Sequence, residues 1–164
     1  MASEPTSTAS TAFRVESADA EGGKMLRLAG VIDEHADLRF FSNLHGDVRV
    51  SMRGVRRINS FGVRSWIDAI RKTPADCRLE LIECPPPVVD QMNMVAGFLG
   101  QAKITSFYAA MVCESCTHEM DHLFTVEACK AAGGKLPPVA CPNCGSPMGV
   151  DDIEEQYLLF VRES

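Results

Sequence analysis

The apolar pattern changes its period within residues 48–73, and this change predicts a strand followed by a helix. Val48, Val50 and Met52 alternate with polar residues, as in a strand with one buried face. Further along, the apolar residues recur at helical spacing and share one helical face: Val63, Trp66, Ile67 and Ile70. Asn59 or Ser60 is a suitable N-cap for this helix.

Strand and helix patterns alternate on both sides of this segment. Short strands are predicted around 13–16 and 25–32, again over 77–83 and 104–112, and near the C-terminus over 157–161. A helix is predicted over 35–44, and another follows the three prolines at 85–87, with an apolar face from Val88 to Leu99. This second helix also has apolar residues outside that face. Two interpretations remain open: the helix is buried in the core, or it offers a docking face to a partner. The alternation predicts an α/β fold, a mixed sheet with helices packed on it.

The turn between the central strand and helix resembles that of a known family. Residues 58–63, Ile-Asn-Ser-Phe-Gly-Val, are similar to the Asp-Ser-Ser-Gly-Leu turn of STAS domains, the modules of bacterial anti-sigma-factor antagonists and stressosome proteins. Residues 30–34, Gly-Val-Ile-Asp-Glu, resemble the step that follows the second strand in that family. The predicted order of elements over 13–112, β-β-α-β-α-β-α-β, is also that of the STAS fold.

This resemblance implies a surface that docks onto a protein partner, either a kinase-like anti-sigma factor or another STAS protein. In the family, the second serine of the turn is phosphorylated by a partner kinase. Phe61 occupies that position here and has no hydroxyl group, so the resemblance implies docking without the usual serine phosphoswitch. The implied contact residues lie at the turn and the adjoining strand end: Arg53, Arg56, Arg57, Ser60, Phe61, Gly62 and Arg64.

Two C-x-x-C pairs carry the clearest chemical signal in the chain. Cys113 and Cys116 are followed after 24 residues by Cys141 and Cys144, a spacing typical of two knuckles that present four thiolates to one zinc ion. The second knuckle, Cys-Pro-x-Cys-Gly, is typical of zinc ribbons. We therefore predict a structural zinc site, with iron or a redox dithiol as alternatives, and interpret the other three cysteines as small buried residues.

Residues 118–122, His-Glu-Met-Asp-His, match the H-E-x-x-H pattern of zinc proteases. The match begins two residues after Cys116, too close for a separate catalytic metal site on a long helix. We interpret it instead as the start of a strand after the first knuckle. No phosphate-binding loop or nucleophile elbow is present in the sequence, and a closed four-sulfur site argues for structure over catalysis. The sequence therefore predicts a non-enzymatic protein.

Charge separates the two predicted parts of the chain. Residues 1–112 hold 13 basic and 13 acidic residues, whereas residues 113–164 hold three basic and nine acidic residues, which accounts for the whole net charge of −6. Nucleic-acid affinity depends on Lys and Arg, so the acidic second part argues against nucleic-acid binding. A zinc-ribbon nucleic-acid-binding protein and a thiol/zinc redox sensor remain as alternative functions, and oligomerisation remains open.

Three units are predicted: a disordered tail over 1–12, a STAS-like domain over 13–112 and a zinc-ribbon extension over 113–164. The start of the chain lacks the charged and apolar regions of a signal peptide. No run approaches the roughly 20 apolar residues that span a bilayer. We therefore expect a bacterial cytoplasmic protein that does not act on a membrane.

Overall fold

The computed structural model describes residues 11–164 and contains a five-stranded mixed sheet. Its strands follow one another in spatial order: β1 (Arg14–Ala20), β2 (Gly23–Ile32), β3 (Gly46–Ile58), β4 (Cys77–Ile82) and β5 (Lys103–Ile104). The pair β1–β2 is antiparallel, and each later neighbour pairs in parallel. The predicted tail falls mostly on residues 1–10, outside the described residues, and the backbone carbonyl of Thr11 already accepts a hydrogen bond from Val31.

Helices connect the parallel strands, so the predicted mixed α/β class is confirmed. Helix α1 (Ser60–Arg71) joins β3 to β4, and α2 (Pro86–Met94) lies between β4 and β5. The helix predicted over 35–44 is a shorter 3-10 helix, Arg39–Asn43. Helix α2 ends before the predicted apolar face does, and Gly97 and Gly100 both adopt positive φ in the turns that follow. Within residues 11–164, no helix combines the length and apolarity required to cross a membrane.

The central strand and helix form the core as their periodicity predicts. Val48, Val50 and Met52 are buried. Arg49 lies between the two valines and Arg53 follows Met52, and both arginines are exposed. Trp66 of α1 is completely buried; its ring packs edge-on against Phe41 and stacks on Phe98. The indole N–H donates to the carbonyl of Phe98 at 2.9 Å, which satisfies the one polar atom of this side chain.

Helix α1 lies against the end of β2 because residue 62 is glycine. A Cβ atom at Gly62 would lie 1.9 Å from the carbonyl oxygen of Ile32. The backbone N–H of Gly62 donates to the side chain of Asn59, the N-cap residue. The start of α1 is therefore positioned both by the cap and by the missing side chain.

A second, three-stranded antiparallel sheet follows the first. Its central strand β6 (Ser106–Val112) lies between β7 (Glu119–Thr125) and β8 (Gly149–Val150). The prediction of one strand over 104–112 is therefore wrong, since these residues are divided between two sheets. Thr105 lies at the break: its N–H donates to Leu81 and its carbonyl accepts from Val126. A short helix, α3 (Val126–Ala131), follows β7.

The C-terminal residues are helical, so the prediction of a strand over 157–161 is wrong. Helix α4 (Glu154–Tyr157) and α5 (Leu159–Glu163) place Tyr157, Leu158, Phe160 and Val161 in the core. A continuous apolar run of this length does not distinguish a buried strand from a buried helix by periodicity. The side chain of Asn93 in α2 bonds to the backbone of Tyr157 at 2.9 Å and of Phe160 at 3.0 Å, which joins the C-terminus to the first sheet's helices.

Candidate metal centre and docking surface

The four predicted cysteine ligands meet in space. Cys113 and Cys116 follow β6, and Cys141 and Cys144 precede β8. Their sulfur atoms all lie within 4.8 Å of one another. The Sγ atoms of Cys113 and Cys144 are 3.5 Å apart, and those of Cys116 and Cys141 are 3.6 Å apart. This group could hold a metal ion, and it is the only such group of three or more ligand residues within residues 11–164.

The sulfur arrangement fits a small tetrahedral ion. Sulfur atoms about 2.3 Å from a central zinc ion form a tetrahedron with edges of about 3.8 Å. The two short sulfur–sulfur distances, 3.5 and 3.6 Å, are close to that edge. None of the seven cysteines forms a disulfide, so all four thiols of the cluster are free to bind a metal ion.

The two knuckles have the same backbone hydrogen bonds. In each, the first cysteine's N–H donates to the carbonyl five residues later, and the N–H four residues later donates to the first cysteine's carbonyl. The four bonds are Cys113 to His118 (2.9 Å), Thr117 to Cys113 (2.8 Å), Cys141 to Ser146 (2.8 Å) and Gly145 to Cys141 (2.8 Å). The two halves of the site are therefore equivalent turns supplied by distant parts of the sequence.

Thr117 occupies the position that glycine occupies in the second knuckle. Its φ is +62°, and that of Gly145 is +77°. The left-handed region is unfavourable for a β-branched residue. Thr117 partly compensates through its hydroxyl, which donates to the carbonyl of Cys116 at 2.6 Å. The first knuckle therefore stores backbone strain that the second does not.

Replacing Thr117 with glycine is expected to stabilise the metal-loaded protein. Relief of left-handed strain, reduced by the greater chain entropy of glycine, should raise the free energy of unfolding by about 1 kcal/mol. Denaturant unfolding of the metal-loaded chain measures this. The matched control is Ser115→Gly in the same knuckle, because Ser115 is exposed and has no positive φ. We expect that control to lower stability slightly, and equal effects of the two changes would contradict the strain argument.

The four ligands differ in their exposure. Cys113 and Cys141 are buried, Cys116 is partly buried and Cys144 is exposed. Hydrogen bonds from the side chain and backbone of Ser146 lower the pKa of Cys144 to about 6. The thiolate form that binds metal is therefore favoured at Cys144 at neutral pH.

The three remaining cysteines take no part in the cluster. Cys84 and Cys129 are buried and Cys77 is partly buried, close to the predicted interpretation of small core residues. Burial raises the pKa of all three thiols, that of Cys129 to about 11. These thiols are therefore poor nucleophiles at neutral pH.

The H-E-x-x-H residues do not form a metal site. Glu119 to Thr125 is strand β7, as predicted, and not a helix. Along a strand, residues four apart are separated by about 13 Å. His118 and His122 therefore cannot bind one metal ion as the protease motif requires.

The seven residues of the predicted docking surface lie at the end of β3 and the start of α1, and we call this set the Phe61 surface. Phe61 is 63% exposed, so it is not a core residue. Ser60 and the four arginines are exposed as well. Gly62 is buried against β2, so it positions the surface and offers little area of its own to a partner.

The Phe61 surface combines an apolar side chain with unpaired positive charge. None of Arg53, Arg56, Arg57 and Arg64 forms an ion pair with residues 11–164. The side-chain amide of Asn59 in the turn donates to the carboxylate of Glu34 at 3.2 Å. Backbone hydrogen bonding at Glu34 and this amide lower the pKa of that carboxyl group, so it stays charged beside the turn.

Several contacts around Arg53 were not predicted from the sequence. Its guanidinium lies over the ring of Tyr108, 5.9 Å from the ring centre. Ser51, buried on the same strand, donates to the Glu83 carboxylate at 3.2 Å. Glu83 has a positive φ of 53°, and its N–H donates to the hydroxyl of Ser106 at 2.8 Å. These contacts join residues more than 20 positions apart, so no local pattern could have indicated them.

Comparisons with protein-family models, with curated proteins and with solved structures found no match. The features that indicate a function are therefore the geometry of the cysteine site and that of the Phe61 surface.

Proposed function

We propose that this chain is a non-enzymatic regulatory module that docks onto a partner protein through the Phe61 surface. The observation that carries the proposal is the exposure of Phe61, 63%, at a turn surrounded by arginines that have no ion pair within residues 11–164. Aromatic residues and arginine are the side chains that most often dominate binding energy at protein interfaces. The resemblance of residues 58–63 to the docking turn of STAS domains supports the same surface.

The partner should present an apolar pocket for the phenyl ring and a rim of carboxylates for the guanidinium groups. Opposite charges around the ring would steer association and set orientation. We propose a kinase-like anti-sigma factor or another STAS protein as this partner. Because Phe61 has no hydroxyl group, we expect release of the partner not to depend on phosphorylation of residue 61.

We further propose that the four cysteines bind one structural zinc ion. Four thiolates complete a tetrahedral shell and leave no position for substrate or water. The ion would hold together two loops that come from distant parts of the sequence. Its role in the module is therefore to keep the strands of the second sheet together.

Phe61→Ala is expected to weaken partner binding by about 30-fold or more, because loss of a central aromatic anchor costs about 2 kcal/mol or more. The full chain is used to capture proteins from a lysate of its native host, with quantification by mass spectrometry. The dissociation constant is then measured with the purified partner. Met94→Ala is the matched control, since Met94 is 70% exposed and lies outside the Phe61 surface.

The proposal is supported if the unchanged chain and Met94→Ala capture a kinase-like anti-sigma factor or STAS protein that Phe61→Ala does not capture. The purified partner must then reproduce this binding. Recovery of the same proteins by Phe61→Ala and the unchanged chain would contradict docking through Phe61. Recovery of nucleic-acid machinery in place of such a partner would favour the alternative function.

A further inference from the structure

The exposed face of the five-stranded sheet contains a groove of about 670 Å³ that the docking proposal does not explain. It is lined by side chains of β1, β2 and β3 and by Glu83, which follows β4. A volume of this size is in the range of small-molecule sites. Its charged and polar side chains are those of Arg14, Glu16, Arg27, Ser51, Arg53, Arg56 and Glu83.

Irregular pairing between β2 and β3 shapes this groove. The register shifts twice, between Arg27 and Ala29 and between Gly30 and Val31. Gly54 lies opposite Ala29, where a Cβ atom would be 2.7 Å from the Ala29 side chain. Such irregularities bend a strand and redirect its side chains. They place Arg53 and Arg56, on either side of Gly54, in the same groove.

Positive charge predominates in the groove. It contains four arginines and two glutamates, Glu16 and Glu83. Arg27, Arg53 and Arg56 form no ion pair with residues 11–164. Tyr108 holds the guanidinium of Arg53 from one side, which reduces the side-chain freedom lost when a ligand binds. Glu83 already accepts a hydrogen bond from Ser51, so part of the negative charge has a partner.

We propose that this groove binds a small molecule that carries phosphate groups. Guanidinium groups bind phosphate oxygens with two parallel hydrogen bonds, and several can converge on one phosphate because it offers at least three acceptor oxygens. The two glutamates then accept from hydroxyl or amine groups in the rest of the ligand. Arg27 and Arg53 are the residues on which affinity depends most.

The groove shares Arg53 and Arg56 with the Phe61 surface. A bound phosphate neutralises two of the four arginines that face a partner, so the ligand weakens docking. This regulatory consequence rests on the proposed function. Binding of the small molecule itself does not, because it is measured without any partner and does not involve Phe61.

Calorimetric titration of the metal-loaded full chain with pyrophosphate, in about 150 mM salt to screen weak surface attraction, tests the proposal. We expect one site with a dissociation constant below about 1 mM. Arg27→Gln and Arg53→Gln should each weaken it about tenfold or more, as expected for a lost charge-assisted hydrogen bond. Arg49→Gln is the matched control, because Arg49 is exposed on β3 beside Ser51 and does not line the groove.

Absence of saturable pyrophosphate binding to a chain that is folded by circular dichroism overturns the site. Equal weakening by Arg49→Gln and Arg27→Gln also overturns it, because the binding would then reflect total charge alone. Citrate that binds as tightly as pyrophosphate overturns the assignment to phosphate. Phe61→Ala distinguishes the two proposals, because this variant should still bind pyrophosphate and should no longer bind the partner protein.

Discussion

Replacing Cys113 with serine is expected to abolish metal binding and to unfold much of the second sheet. Cys113 is completely buried. The hydroxyl group of a serine at this position cannot replace the thiolate as a metal ligand. Apparent binding free energies of structural zinc sites are on the order of 10 kcal/mol, more than the remaining core of residues 113–150 can replace. The loop that carries Cys141 and Cys144 is joined to β6 by the two-residue strand β8 and by the N–H of Asp151, which donates to the carbonyl of Ala110.

Elemental analysis should find one zinc ion per unchanged chain and less than a tenth of that in Cys113→Ser, as expected for the loss of one of four ligands. Hydrogen exchange should then show lost protection across residues 113–150, with protection retained in β2 and β3. Cys77→Ser is the matched control, because Cys77 is partly buried and lies outside the cluster; it should keep both zinc and protection. Iron in the unchanged chain would contradict zinc, and full protection after chelation would contradict a structural role.

Trp66→Ala is expected to lower the free energy of unfolding by about 4 kcal/mol or more. The change removes the largest fully buried side chain, which contacts Phe41 and Phe98. It also leaves the Phe98 carbonyl without its indole donor, and a buried acceptor without a partner adds to the cost. Denaturant unfolding followed by far-ultraviolet circular dichroism measures this, since Trp66 is the only tryptophan available for fluorescence.

Two controls separate the contributions to this loss. Trp66→Phe keeps an aromatic ring and removes the indole donor, and we expect a smaller loss of about 2 kcal/mol. Phe61→Ala removes an exposed ring and should change stability by less than about 0.5 kcal/mol. A loss below about 1 kcal/mol for Trp66→Ala would mean that the packing around Trp66 contributes little to stability.

The parts of the fold that the sequence could predict are those in which one local pattern dominates. Strand β3 and helix α1 each follow a regular apolar pattern. Of the two predicted cap residues, Asn59 is the cap, because its side chain accepts from the N–H of Gly62. The cysteine quartet could be predicted from spacing alone, because a C-x-x-C knuckle is a local turn that directs both sulfurs to one side. Thr117 at a glycine position did not prevent that turn from forming.

Other predictions were wrong where local patterns were ambiguous. The apolar run at 157–161 suits a buried strand or a buried helix, and only packing against α2 distinguishes them. Residues 104–112 have strand character throughout, but the bonds of Thr105 to Leu81 and Val126 divide them between two sheets. In both regions the deciding partners are distant in the sequence.

The sequence by itself determined the central strand and helix, a cap at Asn59 or Ser60 and the four cysteines that come together, because periodicity, capping and knuckle spacing are local properties of the chain. Only the tertiary structure decided that Phe61 is exposed while Gly62 is buried against Ile32, since exposure depends on which surface α1 presents to β2. It also decided that Arg27 of β2 and Arg53 of β3 line one groove, because the register between two parallel strands is set by packing over the whole sheet.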